Sequence, residues 1–136
     1  MVEIEADRLD VNTQDGQAVF QGNVKATKGD ILVKGETLTL TYDNTSRKVT
    51  SLIAERDVYV LWLDKEASCD KAVYKLDENM MELIGDVTIT KGDERLSGQK
   101  VIVDMASDQQ VVEGGGGRVK IRVNTQKESG ILQWEK

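Results

Sequence analysis

The residues of this chain that could still pair for acid and base chemistry are its carboxylates. The 136 residues contain no histidine and a single cysteine, Cys69, which excludes a Ser-His-Asp triad, a Cys-His pair and a histidine zinc site. Asp7, Asp70, Asp86 and Asp104 are the candidates for paired acid and base work of the glycosidase kind. They stand mostly at turns or on the polar side of alternating stretches. Nothing in the order of residues brings two of them into an apolar cleft, so they read as solvated side chains. Gly114 to Gly117 could cradle a phosphate, but a strand pattern follows them and no Gly-Lys-Ser/Thr ending opens a helix. A turn or bulge is the simpler reading. Cys69 has no second cysteine to pair with and aligns with Ala6 in the repeat described next, so it reads as a small packed side chain. An enzyme is not expected, and neither a metal nor a cofactor is implied.

The elements that would position these groups come from an internal repeat. Phe20 to Asp30, FQGNVKATKGD, returns as Leu83 to Asp93, LIGDVTITKGD, at a constant offset of 63 residues. The register extends outward to Asp7/Asp70 and Gly35/Gly98, as an internal duplication would leave it. Within each copy polarity alternates: Phe20, Val24 and Ala26 oppose Gln21, Asn23, Lys25 and Thr27, and Leu83, Val87 and Ile89 oppose Asp86, Thr88 and Thr90. A period of two predicts strands with one wet face. Gly22 and Gly85 stand in line with the apolar side chains, where a missing side chain permits a bulge, a bend or a close approach. The Lys-Gly-Asp that ends each copy is turn chemistry.

The rest of the chain keeps this style. Ile4, Ala6, Leu9 and Val11 alternate with polar neighbours before a turn at Asp15-Gly16; Leu38, Leu40 and Tyr42 oppose Thr37, Thr39 and Thr41. Val49 to Ala54, Asp70 to Leu76, Val101 to Met105 and Arg118 to Val123 read as further strands. The apolar Val58 to Leu63 asks for cover on both faces or a place at the seam between the halves. No window of helical length carries a 3.6-residue stripe, so the fold is expected to be all β, a single domain over 1–136 with repeat halves at about 4–64 and 67–124 and a C-terminal strand or tail over 125–136. A net charge of −6, with 24 acidic and 18 basic residues interspersed, argues against a binder driven by phosphate neutralisation. The start, MVEIEAD, has neither a basic nor an apolar leader region, which suits a cytosolic chain or a mature fragment given Met1 as initiator.

The Ile4 to Asp7 start (I-x-A-D), the F-x-G-N-V-x-x-x-x-G of Phe20 to Gly29 and the L-x-G-x-V-x-x-x-x-G of Leu83 to Gly92 resemble the OstA-like domain of the lipopolysaccharide-transport proteins. Among them the periplasmic bridge type is the best match, ahead of the LptC type and the periplasmic domain of the LptD type. The resemblance implies a β-jellyroll of two antiparallel sheets in a V, whose apolar interior carries the acyl chains of lipid A. It also implies a periplasmic location with the signal peptide removed, and head-to-tail joining of copies and of LptC-like and LptD-like partners through edge strands. A carrier is needed because each buried CH₂ is worth about 0.8 kcal/mol. Parity supplies the expected lining: Val11, Phe20, Val24, Leu38, Leu40, Ile53, Tyr74, Leu83, Val87, Ile89, Val101, Val103 and Ile121. Ordinary core is the alternative role of the same residues.

Glu3, Glu5 and Asp7 share one face of the first strand, and Arg118, Lys120 and Arg122 share one face of a late strand. These opposite charges would set direction and register in an edge-to-edge assembly; protection of the edges against random pairing explains them equally well. A different class of function also fits the repeat and the absence of proline: a bactofilin-like β-solenoid polymerising into scaffold filaments, which should repeat at one coil's length throughout. A carbohydrate-binding sandwich would have Tyr59, Trp62 and Trp134 as its aromatic platforms.

Overall fold

Period-two alternation is answered by strands throughout. The computed structural model describes residues 1–107, 109–126 and 130–132, and among them no helix forms. Ten strands follow in order: β1 (Val2–Glu5), β2 (Arg8–Asn12), β3 (Gln17–Lys28), β4 (Ile31–Tyr42), β5 (Val49–Trp62), β6 (Lys65–Lys75), β7 (Met80–Lys91), β8 (Glu94–Asp104), β9 (Gln109–Glu113) and β10 (Lys120–Arg122). They build one antiparallel sheet, a meander from β3 to β8 with β1 and β2 side by side along β3 and β9 and β10 along β8. The expected two sheets of a V are therefore two leaves of one sheet.

What makes the leaves is a line of bulges. The register slips once near the middle of each long pairing, between Gln21 and Val24, Lys34 and Thr37, Glu55 and Val58, Ser68 and Lys71, and Ile84 and Val87. On β3, β5 and β7 the extra residue sits in a pair with positive φ: Gly22-Asn23, Arg56-Asp57 and Gly85-Asp86. Such bulges bend a strand and tighten its twist, and repeated on alternate strands they fold the whole sheet along one crease. The first leaf holds β1, β10 and the halves next to the Gly29, Leu63 and Gly92 turns; the second holds β2, β9 and the remaining halves. Val24, Val60 and Ile89 of the first leaf and Leu38, Leu83 and Val101 of the second share one buried core.

The duplication is visible in the elements. β7 lies 63 residues beyond β3 at both ends, and β6 spans the positions equivalent to β1 and β2 together. Asp7 lies against Gly22 as Asp70 lies against Gly85. At the other end, the counterpart of β5 is split into β9 and β10 by Gly114 to Gly117, which turn with Gly117 N donating to Gly114 O at 3.0 Å. The edge copies are thus broken at the crease, while the central ones run through it. Val58 to Leu63 is the first-leaf half of β5 and its turn: Val58 and Val60 are buried, but Tyr59 and Leu61 lie on the outer face, half exposed rather than covered. Antiparallel hairpins of this kind are not the coils of a solenoid, so the scaffold alternative is set aside.

Candidate functional site

The candidate carboxylates serve the architecture. Asp7 accepts from Asn23 Nδ2 at 3.2 Å and its amide donates to Gly22 O at 2.9 Å. Asp86 accepts from Gln99 Nε2 at 3.0 Å across the equivalent bulge. Asp104 accepts from the amides of Ala106 and Ser107 at 3.1 and 3.2 Å. The Ser107 amide and then its hydroxyl hold the Asp104 carboxyl below its ordinary range, the direction expected of an anion capped by donors. Asp43 is lowered in the same way by the amides of Ser46 and Thr45. Cys69 is buried, and burial pushes its thiol up to about 11, so the thiolate that would react is suppressed at neutral pH.

What the fold does assemble is an apolar interior. Strand register places side chains of one face in rows that cross every strand. One row in the second leaf runs from Leu9 through Phe20, Leu38, Ala54, Ala72, Leu83 and Val101 to Val112. A row in the first leaf runs from Ile4 through Ala26, Val33, Val60, Ala67, Ile89 and Leu96 to Ile121. These rows face each other across a cavity of about 40 Å³ lined by Ala26, Val33 and Val60 from one leaf and Leu38, Leu52, Ala72 and Met81 from the other. That is room for about three water-sized groups. The leaves also touch through Lys28 Nζ, which donates to Tyr74 Oη at 3.0 Å and lies 4.8 Å from its ring centre.

Of the residues expected to line this interior, Val24, Leu38, Leu83, Val87, Ile89, Val101 and Val103 are buried in the core, with Phe20 and Tyr74 packed against it. Leu40 shares the inner row of Ala18, Leu52 and Tyr74. Val11 and Ile121 are on the inner faces but at the two ends of the stack, where they stay 57% and 47% exposed. Ile53 does not belong with them. It pairs with Thr39 and Val73 on the outer face, while Leu52 and Ala54 on either side point inward. Leu52-Ile53-Ala54 is apolar at every position, so alternation could not choose between its faces; the pairing with β4 does.

The charged edges are also partly rearranged. Glu3 and Glu5 stand exposed on β1, paired with Thr27 and Lys25. Lys120 and Arg122 stand exposed on β10, paired with Ser97 and Arg95. Asp7 has left this set for the crease, and Arg118 precedes β10 rather than lying in it. The acidic and basic edges that remain both belong to the first leaf, at its opposite ends. Trp62 packs against the core, Tyr59 lies half exposed on the outer face with its Oη donating to Glu66 Oε1 at 3.0 Å, and Trp134 lies outside the described residues. Sequence reasoning assigned no role to Ile131, which is fully buried. A lone Gly-Ile-Leu in a polar tail was its only signal.

The geometry presents a folded antiparallel sheet with a continuous, mainly aliphatic interior, and the candidate carboxylates are engaged at its turns and bulges. Residues 3–109 match the model of the LptA/(LptD N-terminal domain) LPS transport protein family, and the chain belongs to that family, a family of lipopolysaccharide transport and not of enzymes. It is 26% identical over 133 residues to an uncharacterized protein of Rhizobium meliloti, covering 92% of this chain and 72% of the relative. It is 24% identical over 124 residues to the lipopolysaccharide export system protein LptH of Pseudomonas aeruginosa, covering 84% of this chain and 67% of that one. The crystal structure of LptH, described as the LptA-homologous periplasmic component of the lipopolysaccharide transport device, superposes with a TM-score of 0.80 at 18% identity, over 91% of this chain and 95% of that one. The fold is accordingly the LptA-like one.

Proposed function

We propose that this protein is a periplasmic bridge that carries the acyl chains of lipid A between its two leaves on the way from the inner to the outer membrane. The observation that carries this reading is the pair of apolar rows that cross all the strands from one open edge of the sheet to the other. A mainly aliphatic lining suits sliding contact rather than a fixed pocket. The leaves touch around a cavity of about 40 Å³, so loading parts them along the crease, and each CH₂ that enters gains about 0.8 kcal/mol relative to water. A photoreactive residue in place of Leu40 is expected to label lipopolysaccharide in intact cells, and one in place of Thr39, on the other face, to leave it unlabelled. Labelling from Thr39 alone would place the lipid outside the leaves.

Copies join head to tail in this reading, the acidic β1 of one beside the basic β10 of the next, with LptC-like and LptD-like partners completing the two ends. Opposite signs at opposite ends of one leaf support it, because such edges attract each other in one order and repel in the other. Changing Lys120 and Arg122 to Glu should shrink the oligomers seen by light scattering at low salt. Adding Glu3→Lys and Glu5→Lys should restore them in part. Oligomers of the same size in all three chains would leave these charges as protection of bare edges.

A further inference from the structure

From the position of Ile131 we infer that the protein carries its own plug: residues 130–132 close the C-terminal mouth of the interior and have to leave before a lipid can pass there. Ile131 lies beyond the last strand, in a turn, yet it is fully buried within the main core. The chain around it is fastened to both leaves. In the first leaf, Glu94 at the start of β8 accepts from Gly130 N at 3.3 Å through one oxygen and from Asn124 N at 3.0 Å through the other. In the second leaf, Gln110 on β9 donates from its side-chain amide to Leu132 O at 2.6 Å. Glu94 and Gln110 both have inward parity, with Leu96 and Val112, so the segment bridges the gap between the leaves at the β9 and β10 end. Gly130 rests on the Lys91 side chain with no space for a Cβ unless the lysine moves.

Among the described residues the other mouth has no such cover. At the β2 end the inward-facing Leu9 and Val11 remain 52% and 57% exposed. An isoleucine side chain and an acyl chain have the same chemistry, so the two compete for one apolar place, and lipid must displace the plug to take it. The protein then loads at its N-terminal mouth and holds the C-terminal one shut until lipid, or the next copy, releases the segment. This rests on the carriage reading above, and the test separates the two.

Binding of fluorescent lipid A, read by anisotropy, would be compared for the full chain, Ile131→Ser and Ile131→Leu. Removing a buried isoleucine's preference for the interior should tighten binding by about tenfold, while the leucine variant should bind as the parent does. Equal affinities for all three, or weaker binding by Ile131→Ser, would overturn the plug and leave carriage standing; no binding by any would overturn both. Should the serine variant fail to fold, hydrogen exchange at the Gly130 amide of the unaltered chain decides. It should speed up when lipid A is added, and protection unchanged at saturating lipid would overturn the plug.

Discussion

Replacing Gly85 with valine is expected to destabilise the protein by about 3 kcal/mol or more, from two costs that fall on the same atom. The backbone there has φ +87°, a conformation that a β-branched residue adopts only under strain. A Cβ would also come within 2.8 Å of Asp70 Cβ and 2.5 Å of its Oδ2, and Asp70 cannot retreat without its own strand moving. Gly92→Val is the control: φ is +59° but nothing lies within 4 Å of the added Cβ, so only the backbone cost of about 1–2 kcal/mol applies. Thermal unfolding should show the Gly85 variant falling on the order of 10 °C, clearly further than the Gly92 variant. Gly22, at φ +85° and 2.9 Å from Asp7 Cβ, should behave like Gly85. Equal losses at positions 85 and 92 would mean that the crease is not packed as described.

Leu83→Ala should cost about 3 kcal/mol, within the range of roughly 2–5 kcal/mol for a leucine truncated in a rigid core. Leu83 is fully buried midway along the second-leaf row, between Ala72 and Val101, and the alanine at position 72 has no side chain long enough to fill the void. Ile53→Ala, on the outer face, should cost less than about 1 kcal/mol, mostly lost contact with Thr39 and Val73 and lowered strand preference. Urea midpoints of the two variants measured together check this. A larger loss at Ile53 would mean that the second leaf is turned inside out relative to the described pairing.

These two pairs of variants also mark how far the amino-acid order alone could be read. Most of the strands, the duplication and the special role of Gly22 and Gly85 were legible, because alternation and a glycine in an apolar line have direct structural causes; β9 and the first half of β6 were not read as strands. Most of the interior rows followed from the same parity. Parity fails where a stretch is apolar on both faces, as at Leu52-Ile53-Ala54, and it shifts across a bulge: on β4 the inward positions change from Val33 and Gly35 to Leu38 and Leu40. Asp7 was grouped with Glu3 and Glu5 on alternation alone, yet the break between β1 and β2 turns it toward Asn23. Ile131 was unreadable for another reason. Its burial is settled by Glu94 and Gln110, 37 and 21 residues earlier in the chain, and no local pattern announces such a contact.

The most direct test of the account is to move one photoreactive side chain by a single residue along β5 in cells that are exporting lipopolysaccharide. Position 52 faces the cavity and position 53 faces away from it. Adducts to lipopolysaccharide from 52 and none from 53 are what a lipid carried between the leaves predicts. Adducts from 53 with none from 52 would place the lipid on the outer surface, and this interior would then be only a core.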